Sequence, residues 1–125
     1  MPASNETCTA TVEKYIAMLN DGEHAGIDFV ALYADGATIE DPVGSTPLSG
    51  AEAIAQFYDA IPAQRSAVLT DIRTVAGEVV FAFDLDLSFP DNKMTIRPID
   101  HMRINEDGKI ASMRAFWSDD NVSFG

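Results

Sequence analysis

The second half of the sequence contains a segment in which apolar and polar side chains alternate strictly. The odd positions after Val79 are apolar and the even ones from 84 are polar, with Phe81, Phe83, Leu85, Leu87 and Phe89 against Asp84, Asp86 and Ser88. Because successive side chains of a β-strand point to opposite faces of the sheet, this pattern predicts an antiparallel strand with one buried face. We predict further strands of the same meander at residues 67–75, 94–104 and 110–117.

The first half of the chain has a helical period instead. One apolar stripe is formed by Cys8, Val12, Tyr15, Ile16 and Leu19, and the helix should end at the turn residues 20–22. We predict a second helix at 25–33, a strand at 37–41 and a third helix at 51–61, where Ser49 and Glu52 form a capping-box pattern. Helices followed by a curved meander give an α+β fold, and the length of 125 residues suits one domain, 1–125.

Charge and cysteine content exclude several classes of protein. Asp and Glu number 20 against 8 Lys and Arg, so the net charge of -12 would repel nucleic acid and anionic membranes. The single Cys8 excludes an internal disulfide framework, and His24 and His101 lack the spacing of metal ligands, so we predict no metal site. Without a membrane span or a signal-peptide pattern, we expect a cytoplasmic protein.

Two aspartates occupy positions where the alternation predicts a buried side chain. Asp41 shares its face with Ala37 and Ile39, and Asp100 shares its face with Met102 and the other even positions of 94–104. Burial raises the pKa of a carboxyl group, so Asp100 could stay protonated and donate a hydrogen bond. Asp41 stands at a strand end beside a loop, where partial solvation suits an ionised general base. Alternatively, each acid bonds only a neighbouring backbone amide or Arg97.

Tyr15 is a third polar group on an apolar surface, and its hydroxyl needs a partner once it is buried. A core tyrosine with its hydroxyl at the rim is the simpler interpretation. Together with Asp41 and Asp100, however, it predicts a convergent polar set in a mostly apolar pocket. Met113 and Trp117 share one face of the last predicted strand and could form a wall of that pocket or belong to the plain core.

Four segments carry a resemblance to a known family. They are VEKYIAMLN around Tyr15, LYADGATIEDPVGS at 32–45, RPIDHMRIN at 97–105 and SMRAFWSDDN at 112–121. Together they make the chain similar to bacterial ketosteroid isomerases over about residues 10–122. The resemblance implies a cone-shaped fold, a steroid substrate, a homodimer and chemistry without a metal or organic cofactor.

The resemblance also implies roles for individual residues. Asp41 would be the general base, and Tyr15 and protonated Asp100 the donors to the ketone oxygen. Ketosteroid isomerase is itself a known example of a carboxylic acid kept neutral to donate a hydrogen bond, so that property comes with the resemblance. Tyr33 and Tyr58 would support the oxyanion tyrosine. The resemblance also places Trp117 beside the base and the steroid. From strand parity we expect Phe83 and Met113 to contact the substrate as well.

The sequence leaves other functions of the same fold open. One is a binding protein for small apolar ligands without turnover. Others are a polyketide-cyclase-like enzyme and an epoxide hydrolase, although a hydrolase would need an acid–Arg–acid cluster, and Arg97 and Arg103 have the wrong parity for that. The outer face of an open sheet also needs cover, and we expect Ile99 and Ile110 to lie on that dimer-forming face.

Overall fold

A computed structural model describes residues 2–125 of the chain. These residues form three α-helices, α1 (Asn5–Leu19), α2 (Gly26–Val30) and α3 (Ala51–Asp59), and a short 3₁₀ helix at Asp119–Asn121. Eight strands form one sheet, β1 (Tyr33–Glu40), β2 (Leu48–Ser49), β3 (Arg65–Val75), β4 (Glu78–Ser88), β5 (Lys93–Ile96), β6 (Ile99–Ile104), β7 (Ile110–Phe116) and β8 (Val122–Phe124). The predicted α+β architecture is confirmed.

Helix α1 forms where the apolar stripe predicts it. Ser4 caps its first turn by accepting a hydrogen bond from the Thr7 amide at 3.1 Å, and Cys8 and Tyr15 are buried on its inner face. Within the described residues no helix is long and apolar enough to cross a membrane.

The second and third helices differ from the prediction at their ends. Helix α2 ends at Val30, and Tyr33 begins β1 because it pairs with Ile110 of β7. Helix α3 ends at Asp59 and begins after Gly50, without a side-chain cap. The predicted capping box is wrong, since the Ser49 hydroxyl donates to the Ala37 carbonyl at 2.9 Å and so joins β2 to β1.

The sheet is mixed and open. Its strand order is β2-β1-β7-β6-β4-β5-β8, and β3 pairs with the other edge of β4. Only β1 and β7 run parallel among the described strands, so the predicted antiparallel character holds elsewhere. Strand β4 carries the predicted alternation and pairs with three different strands, β3, β5 and β6.

The predicted strand at 94–104 is in fact two strands. Strand β6 pairs with residues 78–82 of β4, and β5 pairs with residues 85–88. The break falls at Arg97 and Pro98, where proline has no amide to donate and the Arg97 amide turns to the Asn121 carbonyl at 2.9 Å. Strand β8, which follows Asp119 and Asp120, was not predicted and pairs with β5.

The parity assignments hold along β6 and partly along β7. Asp100 and Met102 are buried, and Ile99 is 49% exposed on the outer face as expected. Ile110 is fully buried, so its predicted place on the outer face is wrong. The register between β6 and β7 shifts by one position between Arg103 and Ile104, and that shift turns Ile110 inward opposite Ile104.

Candidate active site

A cavity of about 170 Å³ lies between α1, α3 and the inner face of the sheet. Its apolar lining comes mainly from alternate positions of β4 and from the two helices, as Leu19, Phe57, Ile61, Phe83, Leu85, Leu87, Ile96 and Pro98. The same lining includes five residues that have polar side-chain atoms: Tyr15, Tyr58, Asp41, Asp100 and Trp117. A few convergent polar groups in an apolar cavity are typical of a small-molecule site.

Asp100 is the most deeply buried acid of the site. Its residue is 1% exposed, and β6 holds it between Phe81 of β4 and Ala115 of β7. Its Oδ1 has no hydrogen-bond partner within the described residues 2–125. Burial, followed by the nearby charge of Asp41, raises the pKa of this carboxyl well above its usual range. This shift favours the neutral form of Asp100, and among residues 2–125 neither a backbone amide nor Arg97 satisfies Oδ1.

Asp41 lies in a different environment, directly after the last residue of β1. It is only partly buried, and the Trp117 indole Nε1 donates a hydrogen bond to its Oδ1 at 2.7 Å. Burial raises the pKa of Asp41, while the bond from Trp117 acts in the opposite direction. The two carboxyl groups of the cavity thus differ in solvation and in hydrogen bonding, which suits opposite protonation states.

Three tyrosine hydroxyls form a chain that ends at the cavity. The Tyr58 hydroxyl donates to the Tyr15 hydroxyl at 3.3 Å, and Tyr33 is in close hydrogen-bond contact with Tyr58. If Tyr58 gives its proton to Tyr15, Tyr33 must supply the proton to Tyr58, since each hydroxyl has one. The proton of Tyr15 then remains available for an acceptor in the cavity. Burial is the largest cause that raises the pKa of all three tyrosines.

The loop after Asp41 is held by bonds that the sequence reasoning missed. Glu40 Oε2 accepts from the Gly44 amide at 2.8 Å, and its Oε1 accepts from Arg114 Nε at 3.0 Å. The Val43 amide donates to the Ala115 carbonyl at 2.8 Å. The Gly44 amide and the Arg114 guanidinium together lower the pKa of Glu40. Glu40 stands on the face opposite Asp41, so alternation marks it only as a solvated acid.

The structure brings most of the predicted site residues together. One cavity is lined by Tyr15, Tyr58, Asp41, Asp100, Phe83 and Trp117. Tyr33 lies one hydrogen bond behind it. Met113 does not line the cavity, contrary to the expected substrate contact. It pairs with Ile39 and Met102 in the middle of the sheet, where it is fully buried.

Several cavity residues were not predicted as such, although β4 carried a signal for two of them. Leu85 and Leu87 share the parity of Phe83, which marks the inner face. Phe57 and Ile61 come from the end of α3 and the loop after it. They follow Ile54 at the helical spacings i+3 and i+7, so a helical period was a signal for them as well. Among residues 2–125 there is no group of three or more His, Cys, Asp or Glu side chains that could hold a metal ion.

Comparison with known protein families identifies the family of this chain. The model of the SnoaL-like domain matches residues 12–113. This chain belongs to the SnoaL-like domain family. One relative of this SnoaL-like domain is a steroid Delta-isomerase of Nocardioides simplex, 42% identical over 110 residues that cover 87% of this chain and 88% of the relative. The similarity to steroid isomerases that the sequence motifs indicated is confirmed.

Solved structures show that the fold is shared more widely. The epoxide hydrolase/cyclase-like enzyme SalBIII, connected with pyran ring formation in polyether salinomycin, superposes with a TM-score of 0.86 at 22% identity over 98% of both chains. The Δ5-3-ketosteroid isomerase of Mycobacterium sp. superposes with a TM-score of 0.82 at 23% identity, over 95% of this SnoaL-like domain and 98% of that chain. At these identities the two likenesses show the fold.

Proposed function

We propose that this protein converts Δ5-3-ketosteroids to Δ4-3-ketosteroids, with Asp41 as general base and with Tyr15 and Asp100 as oxyanion-hole donors. The observation that carries the proposal is the unpartnered Oδ1 of Asp100, a fully buried acid that shares one apolar cavity with the partly solvated Asp41. A buried polar atom without a partner costs stability, so its retention in a cavity fits a role toward a bound ligand. The steroid isomerase relative at 42% identity supports the choice of substrate.

The reaction begins when the Asp41 carboxylate removes a proton from the carbon between the ketone and the alkene. The electron pair of that C–H bond enters the conjugated system and leaves a dienolate with negative charge on the former ketone oxygen. Protonated Asp41 then returns the proton to the far carbon of the former alkene, which restores the carboxylate and completes the conjugated enone. The proton that Asp41 removes is the proton that it returns, and the electron pair stays within the substrate, so no other reactant is needed.

The two oxygens of the Asp41 carboxylate have different tasks, since one is held by a hydrogen bond and the other is left for the proton. Trp117 occupies Oδ1 of Asp41, so Oδ2 is the oxygen assigned to proton transfer. The single bond from the indole keeps the carboxylate ionised more readily than burial alone would. The apolar walls of the cavity exclude the water that would compete for the carbanion.

The developing negative charge is met by two donors. Tyr15 has its own proton free because its oxygen accepts from Tyr58, and Asp100 remains protonated through burial. Preorganised donors in a cavity poor in water stabilise such charge more than bulk water does, and one donor typically contributes about 10²–10³ in rate. Phe83 and Trp117 would pack against the steroid. Met113, which lies in β7 and is fully buried, would not contact it.

We also propose a homodimer formed through the outer face of the sheet. Val68, Val80, Ile99 and Phe116 are large apolar side chains exposed by 60%, 44%, 49% and 44% on that face. Such a patch suits a self-complementary interface between two copies. Size-exclusion chromatography with light scattering would give twice the chain mass, and an active monomer would remove this part of the proposal. The cytoplasmic location remains a prediction.

A cyclase-like activity is the second candidate, because SalBIII shares the fold over 98% of the chain. In that case Asp41 would act on another ketone in the same cavity. An epoxide hydrolase with an acid–Arg–acid cluster is disfavoured, since Arg97 and Arg103 are exposed and do not line the cavity. A binding protein would hold the steroid without turnover.

The experiment that tests the proposal is the growth of ultraviolet absorbance when a Δ5-3-ketosteroid gains its conjugated enone. Wild type is run beside Asp41→Asn and beside Asp71→Asn, a matched exposed aspartate on β3. We expect growth with wild type and Asp71→Asn, and loss by roughly 10²–10⁴ with Asp41→Asn. Binding without growth would favour a binding protein, and an active Asp41→Asn variant would end the assignment of the base.

A further inference from the structure

Arg65, the first residue of β3, makes an unusual set of bonds beside the cavity. Its guanidinium donates to five backbone carbonyls rather than to carboxylates. Nε donates to Leu19 at 2.8 Å, Nη1 to Pro62 at 3.3 Å, and Nη2 to Asp21 at 3.0 Å, with longer bonds to Met18 at 3.3 Å and His24 at 3.4 Å. One side chain thus joins the end of α1, the loop before α2 and the loop after α3.

These bonds have a clear physical basis. The last carbonyls of a helix have no partner within the helix, and a cation at that end also interacts favourably with the helix dipole. The planar fork of arginine can meet several carbonyls at once, which a lysine ammonium cannot match from a single atom. Arg65 also lies over the ring of Phe29, at 5.9 Å from its centroid.

A second observation shows how tightly the same loops approach each other. A Cβ placed on Gly22 would lie 1.8 Å from the Ala63 carbonyl oxygen, so the backbones of the two loops are in direct contact there. Arg65 reaches across this contact to both loops. No side chain could be inserted at Gly22 without separating them.

Three cavity residues lie at or next to the contacts of Arg65, and we call them the distal wall: Leu19, Ile61 and Leu87. Arg65 donates to the carbonyl of Leu19 and is the cross-strand partner of Leu87. It also donates to the carbonyl of Pro62, the residue after Ile61. All three side chains line the cavity. The position of the distal wall therefore depends on Arg65.

The distal wall lies at the end of the cavity away from the catalytic acid. Asp100 is the cross-strand partner of Phe81 on β4, and Leu87 lies six positions further along β4. At about 3.3 Å per residue this is roughly 20 Å along the strand. Leu19 likewise lies one helical turn beyond Tyr15 on α1. A compact ketone held at Tyr15 and Asp100 ends before the distal wall, whereas an extended polycyclic ketone reaches toward it.

We propose that Arg65 is a positioning residue that sets the preference of the cavity for extended polycyclic ketones by holding the distal wall. This inference rests on the proposed isomerisation and goes beyond it, because it concerns the choice of substrate rather than the chemistry. Contacts at the distal wall are made equally in the ground state and the transition state. Their loss should therefore raise KM and leave kcat unchanged.

The test compares two substrates and three variants. A Δ5-3-ketosteroid and the single-ring β,γ-unsaturated ketone cyclohex-3-enone are assayed with wild type, Arg65→Met and Arg65→Lys. Arg73→Met, which removes an exposed arginine at the far end of β3, is the matched control. We expect KM for the steroid to rise roughly tenfold in Arg65→Met. The kinetics of cyclohex-3-enone should not change, Arg65→Lys should recover part of the loss, and Arg73→Met should behave as wild type.

Binding keeps the inference testable apart from turnover. Trp117 is the only tryptophan and lines the cavity, so its fluorescence reports binding of the Δ4-3-ketosteroid product even in a protein without activity. A tenfold weaker steroid affinity in Arg65→Met supports the inference even if wild type shows no isomerisation, which would overturn the proposed function alone. Equal losses for both substrates, unchanged steroid affinity, or no steroid binding by wild type would each overturn the role of Arg65. Should Arg65→Met fail to fold, Arg65→Lys carries the same comparison.

Discussion

The Trp117 indole Nε1 donates to Asp41 Oδ1 at 2.7 Å, which joins two residues that lie 76 positions apart in the chain. The bond connects the end of β1 to the end of its parallel neighbour β7. It restrains the orientation of the proposed base through Oδ1 and leaves Oδ2 outside this bond, while Asp41 as a whole lines the cavity. It also opposes the effect of burial on the pKa of Asp41, so the same contact both positions and tunes the carboxylate.

Replacing Trp117 with Phe should therefore change the pH dependence of turnover. The variant keeps an aromatic wall but loses the donor, so the pKa of Asp41 should rise further under burial alone. Because the proposed reaction needs the Asp41 carboxylate, the acid limb of the kcat/KM profile should move to higher pH. Steady-state kinetics across the acid range would check this. An acid limb that stays in place would show that the indole bond does not tune the base.

Asp100 should be important for turnover and unfavourable for stability at high pH. Asp100→Ala removes a donor and should lower kcat about 10²–10³-fold. Asp100→Asn keeps an N–H donor of similar shape and should lose less. Loss of the Asp100 proton in alkali should also reduce turnover by wild type.

The stability of the fold follows the same carboxyl group. Because the folded-state pKa of Asp100 is raised, its contribution to stability is complete below the unfolded pKa of about 3.9 and is lost as pH rises toward the folded value. Asp100→Asn should therefore gain stability relative to wild type between pH 5 and pH 9, measured by denaturant unfolding. A constant difference across that range would contradict the raised pKa.

The tyrosine chain should show graded effects. Tyr58→Phe removes the hydroxyl that donates to Tyr15, and we expect a moderate loss in kcat of about tenfold, the value of one hydrogen bond of roughly 1.4 kcal/mol. Tyr33→Phe acts one step further away and should lose less. The double variant should resemble Tyr58→Phe, because Tyr33 acts through Tyr58. Equal and additive losses would contradict a directional chain.

Glu40 should support the base without contacting the substrate. Glu40→Ala removes the acceptor for Gly44 and Arg114, so the loop after Asp41 loses two anchors, and kcat should fall while KM stays constant. Asp71→Ala removes a comparable exposed acceptor of an arginine and a backbone amide, and serves as the control. A rise in KM without a fall in kcat would contradict this role, and so would equal effects in both variants.

The pH dependence of Glu40 has the opposite sign to that of Asp100. Its pKa is lowered by its bonds to Gly44 and Arg114, so its contribution to stability is present above the unfolded pKa of about 4.3 and is lost as pH falls through the folded value. Thermal unfolding of Glu40→Ala and wild type should therefore converge in acid.

Local periodicity was enough to predict much of the site. The alternation on β4 and β6 placed Phe83 and Asp100 on the inner face, because a period of two leaves no other arrangement once one face is buried. The helical stripe on α1 did the same for Tyr15. Within a regular stretch of strand or helix, side-chain direction is a property of that element alone, so the sequence contained it for these residues.

Depth and pairing depended on residues far apart in the chain. Tyr33 belongs to a strand because β7 offers a partner, and Met113 is fully buried in the core instead of lining the cavity, a depth that parity does not reveal. Ile110 turned inward through a one-residue register shift. The contact between Trp117 and Asp41, and the reach of Arg65 to two loops, exist only once the strands and helices have packed. Periodicity determines which way a side chain points where an element is regular, and packing across the chain determines where that regularity breaks and what each side chain meets.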